Sequence, residues 1–486
     1  VLEFSFVGYK NKNVTLGSSN NLSVVMEIEA TMGSEVVVVG YGTQKKALVT
    51  GAVSTVKMDA ILGDRPVSTT SSLLQGAVPG LQVTISSGIP GASASLNIRG
   101  GTDFGSATSS SINTSGPFIV LDNVPLNGPL NMINPNDIES VSLLKDAGSA
   151  AIYGARSAFG VLLITTKKGN KNQKVQFNYS NNISFASPLA LPQRATPIQM
   201  VQSWIDGYYS GSYWGAQNLQ TWIQLLGDYK SNPSTYPGGY AVNSGIYYQL
   251  APVDPVKDLL GNTGFQQMHN FSINGGSDKT TYRISFGTTN EKGILVPAAH
   301  QDAYKRYNIK SIISTDINKW MTAQLDASYY YSLNTSSFYT SAFGNAANQP
   351  NVLPLDSLPS GVGLSSSGLV ASGKNQMLAT SPTTNRNDDI RMTARTIFKP
   401  LKGLTITGEY TFDNLRNLTT TYDKQINGLL SVYNLQLTPL GSGLYTINNG
   451  ATDYNIINIY GSYAKSFKSH NFSLLGGYNQ EQGNYQ

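Results

Sequence analysis

The chain has 486 residues, of which 40% are hydrophobic and only 13% charged; an ordinary soluble domain carries about 25% charged residues, and this length exceeds one such domain. The formal charge of +5 is dispersed rather than gathered into the basic stripe of a nucleic-acid binder, and the absence of cysteine excludes disulfides, thiolate zinc sites and thiol catalysis. No apolar run approaches the roughly 18 residues of a transmembrane helix, yet low charge, 28 tyrosines and recurrent alternation are what a transmembrane β-barrel shows.

In chain order, residues 1–33 read as short strands. Leu2, Phe4 and Phe6 alternate with Glu3, Ser5 and Val7, a turn falls at 17–20, and a strand follows over 22–28. The sequence starts inside this alternation with no signal peptide, so we expect further residues ahead of Val1 in the complete protein. Next come Val36, Val37, Val38 and Val39, four β-branched residues that favour an extended backbone. Gly40, Tyr41 and Gly42, then Lys45 and Lys46, keep that strand short and detachable. Taken locally, an ordinary sheet strand is the simpler reading.

Residues 47–170 form a glycine-punctuated α/β stretch. Its marks are Leu74-Gln75-Gly76-Ala77-Val78-Pro79-Gly80-Leu81, Asn97-Ile98-Arg99-Gly100, Pro117-Phe118-Ile119-Val120-Leu121-Asp122-Asn123-Val124-Pro125, and Gly160-Val161-Leu162-Leu163-Ile164-Thr165-Thr166. Pro135-Asn136-Asp137 predicts a capped helical turn feeding a strand at Ile138, and Ser149 is expected to cap a short helix through Tyr153. Gly100-Gly101-Thr102-Asp103-Phe104-Gly105 lacks the strand-to-helix setting of a nucleotide site and reads as a turn.

From Lys174 the texture changes. Val175, Phe177, Tyr179, Ile183 and Phe185 alternate with Gln176, Asn178, Ser180, Asn182 and Ser184, the apolar-out, polar-in pattern of a barrel strand. Similar stretches recur near 265–275, 280–289, 305–315, 320–331, 390–399, 404–414, 454–466 and 471–481, which predicts about nine antiparallel strands. Connections at 276–279, 316–319, 400–403 and 467–470 are short, whereas those around 188–264, 290–304, 332–389 and 415–453 are mostly long, as on the two rims of an outer-membrane barrel. Nine is odd, and about eight strands close around side chains alone. A barrel that holds a 124-residue domain needs more wall, so the chain is expected to be part of a larger barrel.

No Ser-His-Asp set or paired carboxylates stand out, so no catalytic residue and no enzymatic activity is assigned. His269, His300 and His470 lie far apart without ligand spacing; neither a metal nor another cofactor is expected. The first long connection is rich in aromatics, among them Trp204, Tyr208, Tyr209, Tyr213, Trp214, Trp222, Tyr236, Tyr240, Tyr247 and Tyr248. Aromatic faces stack on sugars or peptide side chains, and Tyr208, Tyr209 and Trp214 are the ligand-contact candidates; a self-packed loop is the competing reading.

Taken together and in this order, the marks of residues 35–169 resemble the plug domain of TonB-dependent outer-membrane transporters of the SusC/RagA-like branch. Met268–Tyr282 is similar to that family's early barrel hairpin, while Pro252-Val253-Asp254-Pro255 stands where relatives often carry an Asp-Trp pair. The resemblance implies a transmembrane β-barrel of 22 strands, of which this chain would hold about nine, with an N-terminal α/β plug. It divides the chain into the tail of a carboxypeptidase-regulatory-like β-sandwich (1–33), a TonB box and linker (34–46), the plug (47–170) and the N-terminal part of the barrel (171–486). It makes Val36, Val37, Val38, Val39, Gly40 and Tyr41 the segment that pairs with periplasmic TonB, and Arg99, Glu139, Lys145 and Arg156 the candidate plug-gating charges. The implied function is TonB-dependent import of oligomeric glycans or peptides across the bacterial outer membrane, under a SusD-like lipoprotein lid and amid outer-membrane lipid. The alternative is a surface binding or adhesion protein on the same scaffold.

Overall fold

The computed structural model describes chiefly residues 53–98, 116–207, 217–295, 302–337, 369–430, 437–467 and 470–486, apart from short interior gaps, together with short backbone segments at 2–4, 12–14, 36–39 and 42–45. Two bodies follow one another, a small α/β domain and a long antiparallel wall.

The small domain is built on a five-stranded sheet in the order Val53–Lys57, Ile138–Leu144, Val161–Thr166, Phe118–Leu121, Val124–Pro125. Val161–Thr166 runs parallel to Phe118–Leu121 and antiparallel to Ile138–Leu144. Being covered on both faces, this strand is continuously apolar, Val-Leu-Leu-Ile, rather than alternating. One face packs on Met58, Leu73, Leu74 and Ile138, the other on Ala150 and Tyr153. The hairpin Phe118–Pro125 closes through Asp122 (φ 48°) and Asn123 (φ 74°), residue types that tolerate the left-handed region a two-residue hairpin turn requires.

The turn Pro135–Asp137 forms as its sequence predicts, with the Asn134 side chain accepting from the Asn136 N–H at 3.1 Å. The second cap is different. Asp146, not Ser149, caps the helix Ala147–Ala150, its Oδ1 accepting from the Ser149 N–H at 2.8 Å. A carboxylate is the stronger acceptor at a helix N-terminus, and it pushes the start three residues earlier. The chain continues as a 3-10 turn over Ala151–Ser157, kinked at Gly154 (φ 65°).

The wall is a nine-stranded sheet in which each strand pairs with the next wall strand in sequence: Gln176–Ala186, Gly264–Gly276, Thr280–Lys292, Ala303–Asn318, Met321–Ser337, Pro382–Leu401, Leu404–Asp423, Leu444–Phe467 and His470–Tyr485. These fall at the nine places where alternation predicts strands, and several are far longer than predicted. Alternation marks only the stretch that faces lipid; the hydrogen-bonded ladder continues past it through Arg386, Asp388, Arg416 and Asp453, where the outer face is no longer apolar. Phe177, Tyr179, Ile284, Ile309, Leu325, Ile390, Tyr410 and Ile459 are exposed on the outer face, whereas Ser272, Ser285, Asn308, Thr393 and Thr411 are buried on the inner one. No helix among the described residues is long and apolar enough to cross a membrane.

Between the first two wall strands the chain folds a small unit of its own. Helices Pro197–Asp206 and Leu219–Ser231 pack on the hairpin Tyr240–Asn243 and Ile246–Gln249. Thr196 and Gln199 form a reciprocal capping box that fixes the first helix start. Trp222 is fully buried and its indole N–H donates to the Gln249 carbonyl at 2.8 Å. The Trp204 and Tyr248 rings lie 5.9 and 5.8 Å from it. We expect Trp222→Ala to cost this unit about 3–5 kcal/mol, seen as rapid proteolysis within 188–264 while the heat-modifiable gel mobility of the barrel stays unchanged.

Candidate functional site

The small domain meets the wall through polar groups. Asp122, at the tip of its hairpin, turns a largely buried side chain, 8% exposed, to the inner face of the wall, where it meets the fourth and sixth strands. Its Oδ1 accepts from the Thr166 N–H at 2.9 Å, and its Oδ2 from the Thr166 hydroxyl at 2.6 Å and from Lys310 Nζ at 3.4 Å. Lys310 also donates to Asp326 at 3.0 Å. Burial alone would raise the Asp122 carboxyl, but Lys310, Lys168 and the two Thr166 hydrogen bonds outweigh it and hold its pKa at about 2.

Two buried arginines of the sixth strand grip the same hairpin by its backbone. Arg395 donates to the Asp122 carbonyl at 2.7 Å and to Glu409 at 2.6 Å. Arg391 donates to the carbonyls of Val124 (3.3 Å) and Pro125 (2.9 Å), with Asp413 at 3.3 Å as its counter-ion. Each guanidinium spans a wall carboxylate and a plug carbonyl, a use of its fork that a lysine lacks. Further contacts extend the seam: Arg283 with Asp137 at 3.2 Å, Asn134 with Asn270 at 2.8 Å, Asn308 with the Met132 carbonyl at 2.7 Å, and Asn334 with the Pro90 carbonyl at 2.8 Å. Beside the first three strands a polar cavity of about 560 Å³ opens between domain and wall, lined by Asp137, Glu139, Lys167, Asn178, Asn274 and Arg283 among others.

Of the gating charges expected from sequence, Arg156 makes a two-pronged ion pair with Glu481 of the ninth strand, both bonds 2.6 Å, and lies 4.5 Å above the Phe118 ring. Those hydrogen bonds raise the Arg156 pKa. Its side chain is 47% exposed, so this pair contributes about 1 kcal/mol at most. Glu139 is exposed and borders the cavity, and Lys145 lies against Gly80, where an added Cβ would come within 2.8 Å of its Cε. Among the described residues neither forms an ion pair with the wall. Arg99 lies outside the described residues.

The backbone of Val36–Val39 pairs with Gly42–Lys45 as a hairpin, Val36 opposite Lys45 and Val39 opposite Gly42. Gly40 and Tyr41 lie outside the described residues, as do Tyr208, Tyr209, Trp214, His300 and the turn at 100–105. His269 sits on the outer face, its Nδ1 2.7 Å from the Tyr179 hydroxyl. Of the aromatic connection, Trp204, Trp222 and Tyr248 are buried in their own core, while Tyr247 is buried against the Tyr240 ring and burial raises its pKa.

Sequence reasoning passed over Asp122, Lys310, Arg391, Arg395 and Glu409. The signal for Asp122 was present, because Asp-Asn between two apolar pairs marks a hairpin turn. The wall charges occupy inward positions of alternating strands, where any polar residue satisfies the pattern, so period alone does not separate a plug grip from a wetted lumen.

The sequence profile of the TonB-dependent Receptor Plug Domain family matches residues 45–161. TonB-dependent receptor P26 of Formosa agariphila is 33% identical over 352 residues, covering 72% of this chain and 32% of that protein. TonB-dependent receptor SusC of Bacteroides thetaiotaomicron is 30% identical over 305 residues, covering 61% of this chain and 26% of SusC. The chain thus spans about a third of the length of the curated relatives it matches. Its fold is similar to a chain of the RagAB peptide importer in the open-open state, with a TM-score of 0.67, 23% identity, and coverage of 93% of this chain and 49% of that one. An α/β plug gripped from within by an antiparallel wall, with this profile and these relatives, places the chain among the SusC/RagA-like TonB-dependent receptors of the bacterial outer membrane, where the plug faces the periplasm.

Proposed function

We propose that the complete protein imports oligomeric nutrients, glycans or peptides, across the outer membrane, and that TonB drives the transfer by pulling on the valine-rich box at 36–41. The observation that carries this reading is the hold on the plug. Hydrogen bonds and ion pairs from the wall grip a hairpin tip and plug carbonyls, so release asks for exchange of polar partners and not for exposure of a greasy interface. Several such contacts, each satisfied in the docked state, must be exchanged together along one seam. Spontaneous release is therefore rare and an external pull is needed.

In this reading residues 34–46 are the handle, 47–170 the plug, and 171–486 the first part of the barrel. Val36–Val39 would receive a TonB strand by addition to its open edge. A SusD-like lipoprotein would close the outer rim over the ligand. The relatives named SusC and RagAB favour that pairing, and RagAB, described as a peptide importer, makes peptides as admissible as glycans. No covalent step on the ligand is required. Gentle extraction of the complete receptor followed by native mass spectrometry should show a barrel carrying a lipoprotein lid and a bound oligomer. Recovery of the barrel alone, with neither, would defeat the importer reading in favour of a repurposed binding scaffold.

A further inference from the structure

The outer face of the wall carries a cluster that import does not use. Strand register places one outward row through Tyr307, Tyr331, Asp388 and Arg416, on the fourth to seventh wall strands. The next outward row toward the long connections passes through Lys305, Leu333 and Arg386. On the side of the short connections the same face is apolar, with Ile309, Leu325, Ile390, Met392 and Tyr410 exposed, and its outward positions over 309–313, 325–329, 390–394 and 406–412 hold no charge. Short connections mark the periplasmic rim of such a barrel. The cluster therefore begins where the apolar band ends on the outer side, at the depth of lipid headgroups.

Its internal geometry is ordered. The Tyr307 and Tyr331 rings are 5.8 Å apart, and the Arg386 guanidinium lies 5.4 Å above Tyr331. Asp388 fixes Arg386 through Nε at 2.6 Å and Nη2 at 3.1 Å, and itself accepts from the Tyr329 hydroxyl at 3.3 Å. Arg416 donates Nε to Asn414 at 3.2 Å and remains exposed, as does Lys305. Asp453, on the next strand, is engaged by Asn414. Arg386 thus holds Asp388, Arg416 stands opposite Asp388 on the next strand, and Lys305 lies in the outward row of Arg386, two strands away.

We propose that Lys305, Arg386 and Arg416 form a docking site for a phosphorylated lipid of the outer leaflet, its phosphate on the two guanidinium groups and its acyl chains along the apolar band below. Charge complementarity favours this occupant: guanidinium forks match phosphate oxygens, long cationic stems cover apolar surface while the head stays at the interface, and tyrosines flank headgroups. The acyl chains need no pocket, because the band under the cluster is already built for them.

The test uses the complete receptor in detergent, titrated with bis-phosphorylated lipid A or with the same lipid after dephosphorylation, and native mass spectra to count retained lipid. The phosphorylated form should be retained about tenfold more strongly, a preference that weakens as salt is raised. Arg386→Ala with Arg416→Ala should erase the preference while leaving heat-modifiable mobility intact. Equal retention of the two lipids by the unaltered receptor overturns the proposal without any variant. An undiminished preference in a folded double variant overturns it as well.

Discussion

Deleting residues 36–41 from the complete receptor should reduce ligand uptake to the background of cells lacking the transporter, while ligand affinity at the cell surface changes by less than about 0.5 kcal/mol, the scale of a remote surface change. The asymmetry follows from what the segment offers. Strand addition is made by backbone N–H and C=O groups, and a short run of valines presents them in an extended form. In the antiparallel hairpin of Val36–Val39 with Gly42–Lys45, alternate residues of the first strand turn their backbone groups to the partner and to the open edge. A proline removes one donor and disturbs the strand while leaving the length and the apolar character of the segment. Val38→Pro should therefore approach the deletion in its effect on uptake, whereas Val38→Thr, which keeps the backbone, should transport. Uptake that survives the deletion would show that the segment is only a strand, and would leave a surface-binding protein as the better account.

The second large effect belongs to Asp122. Asp122→Asn keeps a side chain that tolerates the turn at φ 48° and still offers an acceptor to Thr166, but removes the charge that faces Lys310. Lys310 then keeps Asp326 at 3.0 Å as its ion-pair partner inside the plug and wall seam, with Asp137 acting on it from farther away. With the contact across the seam gone and Asp326 still neutralising Lys310, docking should weaken by about 1.5–3 kcal/mol, which raises the undocked population roughly tenfold to a hundredfold. Conductance of the purified complete receptor in a planar bilayer reports this directly, because a displaced plug opens the lumen to ions. Conductance no higher than that of the unaltered protein would show that Asp122 does not hold the plug.

The same carboxyl gives the seam a pH dependence with a defined sign. Its pKa is lowered in the docked state, to about 2 from an ordinary 3.8. A lowered carboxyl contributes stability that is complete above 3.8 and is lost as pH falls through about 2; the part that belongs to docking is the part Lys310 of the wall supplies, because Thr166 and Lys168 travel with the plug. Conductance of the unaltered receptor should therefore rise between pH 4 and pH 2, a window set by the values just given. The Asn variant should lack that rise. An equal rise in both would assign it to other carboxyl groups of the wall.

Much of this architecture is written in periodicities. Nine wall strands were legible because side chains alternate with period two wherever one face meets lipid and the other a polar lumen, a constraint local to each strand. Strand ends were not legible, since the ladder outlives the bilayer and beyond it the outer face is free to carry Arg386, Asp388 and Arg416. The helix start at Asp146 was misplaced to Ser149 because two good capping residues stand three positions apart, and only the folded turn shows which side chain accepts the hydrogen bond.

The sequence by itself determined the class of the protein and the order of its plug and wall, properties of segments read one at a time. Tertiary structure alone decided which charges matter. Arg395 and Glu409, Lys310 and Asp122, Arg156 and Glu481 are separated by 14, 188 and 325 positions. Long-range ion pairs leave no local periodicity, because their partners are selected by proximity in the closed seam and by the energetic cost of burying either charge alone. Glu139 and Lys145 look no different in sequence from Arg156. Only the path of the wall past the plug distinguishes them.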